Sequence, residues 1–407
     1  MSLNQKKKRK NSRCETRRRF IQRAATASSV AYIGGFSRAR AAIPHAVIEG
    51  TRIISWQAER YHGWPTVARR SDGELLLAYS GRQEHVCPFG RLELMRSKDD
   101  GQTWSWPQVI YDGPIDDRDG GIMETARGSL LITTFTHSGW EIKLNNAEKK
   151  SSNESITWDP AKLIRWRAVR DRVSPTQRRD ELGCFMLRST DGGITWSNRY
   201  RVPLNSPHGP IQLHDGRLIF PGIARWTPEQ KMGVCQSTND GVTWEWLADI
   251  ADRPGDRRFQ SELHFNYLEL TVVECDNGKL VCQLRNRGNL NDGETLQTES
   301  WNGGRTWSPI HSINVWGTPS HLMRLRNGRL LMTYGHRRPP FGNQARVSRD
   351  NGNTWSEAII LSGDGAGIDV GYPSTVQLND GSLLTVWYEL SKGSFRAQLR
   401  QARWELH

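Results

Sequence analysis

Arginine recurs where short apolar strands end in this 407-residue chain: Gly81-Arg82, Ala224-Arg225, Arg285-Asn286-Arg287 and Gly335-His336-Arg337-Arg338. Two further strands end in Thr136-His137 and Tyr388-Glu389, and Glu269, His208, His321 and Tyr372 lie where neighbouring strands begin. Guanidinium groups gathered in one place bind a planar carboxylate bidentately, so the set suits an acidic substrate. A phenol with a pKa of about 10 is a weak nucleophile at neutral pH, but a carboxylate within hydrogen-bond reach takes its proton as it attacks. This chemistry requires elements that carry all the strand ends to one place.

Two interleaved repeats supply those elements. Residues 97–104 (SKDDGQTW), 189–196 (STDGGITW), 237–244 (STNDGVTW), 300–307 (SWNGGRTW) and 348–355 (SRDNGNTW) share one eight-residue pattern, close to S-x-D-x-G-x-T-W. Its Asp or Asn satisfies turn amides, its Gly takes a positive φ, and its Trp leaves the turn towards an apolar layer. The second repeat, a turn followed by an apolar strand, occurs six times: SDGELLLAY, ARGSLLITT, HDGRLIFPG, DNGKLVCQL, RNGRLLMTY and NDGSLLTVW. The unit reads strand, strand, strand, box turn, strand. Six such units predict an all-β fold, a six-bladed β-propeller of four-stranded blades, closed by a strand from residues 47–56. The box Gly and Trp are structural in this reading. Chemistry belongs where the inner strands converge round the axis.

The amino-terminal 41 residues read as an address. Lys6 to Lys10 and Arg17-Arg18-Arg19 precede Phe20-Ile21, a mildly apolar stretch and Ala39-Arg40-Ala41, which is similar to a twin-arginine export signal with an A-x-A cleavage site. The stretch is too short and polar for a membrane span. It carries twelve Lys and Arg against one Glu, so it holds +11 of the chain's +13 and leaves +2 for residues 42–407. A nearly neutral body excludes general attraction to nucleic acid. One domain is expected over 42–407, with a polar insertion at about 141–181 that is either a surface excursion or a lid. The segment 152–158 (SNESITW) within it looks like a decayed box. Five cysteines remain after Cys14, without metal spacing. Most are expected in the core, and only Cys275 and Cys282, flanking one turn, suggest a bridge. No metal or cofactor is expected.

Five boxes and six blades resemble the sialidase (neuraminidase, BNR/Asp-box) superfamily, over about residues 53–389. The resemblance implies roles residue by residue. LELTVVECDNG is similar to the stretch holding the family's glutamate, which implies that role for Glu269. VCQLRNR implies a carboxylate-binding arginine at Arg285, and TYGHRRPPF implies another at Arg338 or Arg337. GYPSTVQLNDGSLLTVWYE implies Tyr372 as nucleophile with Glu389 positioning it, and AYSGR places Arg82 in the substrate subsite. The chain also departs from the pattern. His62-Gly63-Trp64 precede Pro65 where the family has an arginine, leaving Arg60 as the nearest substitute. The loop after Arg82, QEHVCPFGR, holds no Asp for the acid/base role, so Glu84, His85, Asp117 or Asp119 must supply the proton.

The implied function is an exported, exo-acting glycoside hydrolase that releases a terminal sialic acid or related carboxylated sugar through a tyrosyl intermediate. Sialidases use such a nucleophile in place of the usual second carboxylate. An acidic-glycan lyase on the same fold and a non-catalytic carbohydrate-binding propeller are the alternatives. A glycan partner and a monomer are expected.

Overall fold

The structure, a computed structural model, describes residues 44–407 except 151–157, 228–229, 257–264 and 289. The leader 1–41 and most of the SNESITW segment therefore lie outside the described residues. Six four-stranded antiparallel sheets form the blades of a β-propeller: 61–111, 116–201, 211–249, 267–316, 320–362, and 370–406 joined by Ala46–Ser55. In the last blade Ala46–Ser55 pairs antiparallel with Ala397–Leu406, running from Ala46 opposite Leu406 to Ser55 opposite Leu399. This strand from the start of the described chain is the fourth of blade 6 and closes the ring, as the sequence predicts.

The second strand of each blade is the apolar run of the repeat. In blade 1 it is Leu75–Arg82, buried along its whole length, because both faces pack against neighbouring blades. The boxes close the turns between third and fourth strands by one hydrogen-bond scheme. Ser97 Oγ accepts from Gly101 N at 2.9 Å, and Asp99 accepts from Thr103 N at 2.8 Å and Thr103 Oγ1 at 2.6 Å. Where Asn stands for Asp, the side-chain bond reverses: Asn302 Nδ2 donates to Thr306 Oγ1 at 2.8 Å. Trp104 Nε1 reaches across to Gln401 of blade 6 at 2.8 Å, and Trp355 Nε1 to Gln297 of blade 4 at 3.1 Å. The boxes thus also tie blades together.

The insertion is helical, and it packs on the propeller. Helices α1 (Gly139–Lys150), α2 (Pro160–Arg172) and α3 (Pro175–Glu181) follow the second strand of blade 2. Asp159 caps α2 ahead of Pro160, and Ser174 with Gln177 forms a capping box on α3. Trp140, Leu144, Trp166 and Val169 bury themselves with Cys87, which belongs to the loop after Arg82. The helices therefore brace that loop. All five cysteines of 42–407 are free and buried. Cys275 and Cys282 are not bridged, because they pack into different clusters on either side of the sheet.

One irregularity of the innermost strands positions the site. In blades 1, 2, 4 and 6 this strand carries a bulge, two residues opposing one. The first bulged residue takes a left-handed conformation: Trp64 (φ +55°), Asp119 (+57°), Glu269 (+57°) and Tyr372 (+52°). Non-glycine residues adopt this conformation rarely, and bulges of this kind re-aim a side chain. All four side chains line the same cavity.

Candidate active site

The cavity lies at the strand ends and has a volume of about 360 Å³. Its walls are Trp64 and His85 from blade 1, Arg118, Asp119, Phe135 and His137 from blade 2, and Arg225 from blade 3. Phe265, Glu269, Arg285 and Arg287 of blade 4, Arg337 of blade 5, and Tyr372 and Tyr388 of blade 6 also line it. Helix α1 adds Gly139 and Lys143 at the rim.

Tyr372 and Glu269 meet here from blades 6 and 4. The Tyr372 hydroxyl donates to Glu269 Oε1, and Arg285 Nη1 lies 3.0 Å from both oxygens of the same carboxylate. Burial pushes the Glu269 carboxyl up, but Arg285, the Tyr372 hydroxyl and Arg337 outweigh it and hold the group below the usual carboxylate range. Burial and the Glu269 charge push the Tyr372 phenol well above its ordinary value. The phenol is thus neutral and hydrogen-bonded to an ionised base. Arg337 Nε donates to Val370 O at 2.9 Å, with its guanidinium carbon 5.8 Å from the Tyr372 ring centre.

Asp119 behaves differently. Burial raises its carboxyl to about 7, with Glu269 adding to the rise and Arg118 and Arg225 opposing it. Near neutral pH it can hold a proton and release it, as a general acid must. His85, the other candidate donor, lies at the rim with Nδ1 3.1 Å from Asp369 Oδ1. Asp369 also accepts from the hydroxyls of Tyr61 at 2.9 Å and Tyr388 at 2.8 Å.

Six sequence candidates fall outside the cavity lining. Arg82 is fully buried against Trp64, 5.0 Å from its ring centre. It pairs with Asp116 and donates to Glu84 O and Cys87 O, so it organises the loop behind His85 rather than lining the cavity. Glu84 is committed to Lys162 of α2 at 2.7 Å. Arg338 turns outward and lies 3.4 Å from the Trp316 ring centre, while its neighbour Arg337 faces inward. Glu389 points to the opposite face of its strand from Tyr388 and pairs with Arg400 at 2.6 Å. Arg60 sits in the turn before Tyr61–Arg69 and does not line the cavity. Asp117, also weighed as a donor, is fully buried beside Arg199, away from the lining.

The cavity also holds residues to which sequence reasoning assigned no role of their own. Arg118 immediately precedes the bulge residue Asp119, and its guanidinium carbon is 4.5 Å from the Trp64 ring centre. His137 and Arg225 stood at strand ends, where their position was the available signal. Nothing in the sequence pointed to Lys143, which is brought in by the packing of α1.

A model of the BNR repeat-like domain matches residues 166–385, more than half of the chain. The chain belongs to the BNR repeat-like family. Among curated relatives of this BNR-repeat protein, a sialidase from Paraclostridium sordellii is 23% identical over 288 residues, covering 63% of this chain and 60% of the relative. The chain thus spans about three-fifths of that relative's length. A solved structure described as a protein of unknown function from Dyadobacter fermentans DSM 18053 superposes with a TM-score of 0.71 at 22% identity, over 90% of this chain and all of that one. The NanB sialidase of Streptococcus pneumoniae superposes at a TM-score of 0.62 and 15% identity, over 87% of this chain and 70% of its own. At such identities the structural likeness establishes the shared propeller, and the BNR-repeat protein is a divergent member of the sialidase superfamily.

Proposed function

We propose that the protein is a retaining glycoside hydrolase acting on a terminal sialic acid or a related carboxylated sugar. The observation that carries this reading is the Tyr372 hydroxyl donating to a Glu269 carboxylate that Arg285 grips, inside an arginine-lined cavity. Arg285 and Arg337 take the substrate carboxylate. Tyr372 Oη attacks the anomeric carbon while its proton passes to Glu269, and a phenol avoids the repulsion that a carboxylate nucleophile would meet there. Asp119 protonates the leaving oxygen. In the second half-reaction it takes a proton from water, which attacks the anomeric carbon and displaces the tyrosyl oxygen as that oxygen recovers its proton from Glu269.

Two supports are independent of each other: the bulges aim Trp64, Asp119, Glu269 and Tyr372 at one point, and the relatives of the chain are named sialidases. Export through the leader 1–41 is part of the proposal, and Arg17→Lys with Arg18→Lys is expected to leave the precursor uncleaved inside the cell. The direct test is release of 4-methylumbelliferone from its α-sialoside, with Tyr372→Phe and Glu269→Gln beside the parent. Turnover that survives Tyr372→Phe would discard the nucleophile assignment. A product absorbing in the ultraviolet would favour a lyase, and binding without any turnover would favour a carbohydrate-binding propeller.

A further inference from the structure

Six Arg and Lys side chains line the cavity; Arg287 of blade 4 is one, and the other five fall into two groups. Around Tyr372 and Glu269 stand Arg285 and Arg337, and each has an acceptor: Glu269 for Arg285 and Val370 O for Arg337. The second group is built from blades 2 and 3 and helix α1, and its cations are Arg118, Arg225 and Lys143.

Arg225 is unusual among them. Its guanidinium carbon lies 5.0 Å from the centre of the Phe135 ring and 4.6 Å from that of Phe265, so two aromatic faces hold it in place. Among the described residues its side chain makes no hydrogen bond and no ion pair, and its Nε is buried without an acceptor. A guanidinium whose Nε is buried without an acceptor is costly, and native proteins keep such groups where a ligand completes the rest of the fork. The carboxylates lining the cavity are Glu269, which Arg285 holds, and Asp119. As the acid of the proposed reaction Asp119 is protonated when substrate binds, so it does not neutralise Arg225.

We infer that the cavity takes a substrate with two acidic groups: a carboxylate on Arg285 and Arg337, and a second oxyanion, sulfate or carboxylate, on Arg225 with Lys143 at the rim. This inference rests on the glycosidase reading for the place of the first carboxylate. The planar fork of Arg225, fixed between two rings, is preorganised for a bidentate oxyanion, and Lys143 supplies a mobile point charge from the solvent side.

The test is equilibrium binding by calorimetry to the Tyr372→Phe protein, which leaves ligands intact. The probes are sialyllactose, its 6-O-sulfated form and disialyllactose, so the second anion is absent, a sulfate or a carboxylate. At least one of the two dianionic probes is expected to bind about tenfold more tightly than sialyllactose. Adding Arg225→Gln should bring that ratio to about one. Should Arg225→Gln fail to fold, Lys143→Gln on exposed α1 is the second variant, expected to reduce the ratio several-fold. Equal affinity for all three probes, or a ratio untouched by both substitutions, overturns the inference alone. Failure of all three to bind, with no turnover in the parent, overturns the glycosidase reading together with it.

Discussion

The Tyr372 hydroxyl donates to Glu269 Oε1 across the axis of the propeller, joining residues 103 apart in sequence and two blades apart in the ring. If Glu269 removes the phenolic proton during attack, Tyr372→Phe and Glu269→Gln should each lower kcat for α-sialoside hydrolysis by roughly a hundred- to ten-thousand-fold. Substrate affinity should change far less for Tyr372→Phe, because Arg285 and Arg337 remain. Initial rates of methylumbelliferone release, with calorimetric affinities, separate the two effects.

The pH profile follows from two carboxyls displaced in opposite directions. Glu269, held low by Arg285, must be ionised to accept a proton, and Asp119, raised to about 7 by burial, must be protonated to give one. The rate is therefore expected to stay high through mildly acidic pH and to fall as pH rises through about 7. Asp119→Asn should remove turnover of natural glycosides more than turnover of methylumbelliferyl substrates, whose leaving group needs little protonation. Equal loss on both would reassign the acid, with His85 on Asp369 the next group to vary.

Stability should carry a pH signature of its own at Asp117. This buried carboxyl accepts from Gly113 N at 2.6 Å, yet burial still raises it from 3.8 to about 8. The folded state therefore binds the proton more tightly than the unfolded chain. Its contribution is fully present below pH 3.8 and is lost as pH rises through about 8. Tm is expected to decline over that window, and Asp117→Asn should flatten the decline.

The box turns depend on a left-handed glycine. At Gly101, φ is +80° and an added Cβ would sit 2.8 Å from Leu384 Cδ2 of blade 6. Gly101→Ala is expected to destabilise the fold by about 1–3 kcal/mol, read from urea unfolding. Ser97→Ala, which removes one hydrogen bond from the same turn, should cost about 1 kcal/mol.

The helices over the cavity have a small core of their own. Trp166→Ala removes its centre and should cost that core about 3–5 kcal/mol. Protease cleavage is expected to rise within 139–181, and KM to rise as Lys143 and the braced loop at His85 lose their support.

Much of this was legible in the chain because it is local and repeated. A box turn is decided by eight residues, and an apolar strand between turns by eight or nine more, so six copies announce six blades and their closure. Tyr372, Glu269, Arg285 and Arg337 were readable because each stands at the end or the start of a repeated strand. Arg82, Arg338 and Glu389 met the same positional rule and do not line the cavity. A strand alternates faces, so one residue of register decides between cavity and core, and no local pattern sets that choice for Arg337 against Arg338. The bulges at Trp64, Asp119, Glu269 and Tyr372 were hidden as well. Each is two residues opposing one on a neighbouring strand, a property of pairing rather than of sequence. Lys143 depended wholly on tertiary structure, entering on a helix docked by Trp140 and Trp166. Arg225 stood at a strand end in the sequence, and only its clamping by rings from two different blades came from the fold. The sequence by itself determined the repeat, and hence the propeller and the ring of strand ends. The packing of blades and helices decided which side chains face the axis, because burial and register are settled between segments far apart in the chain.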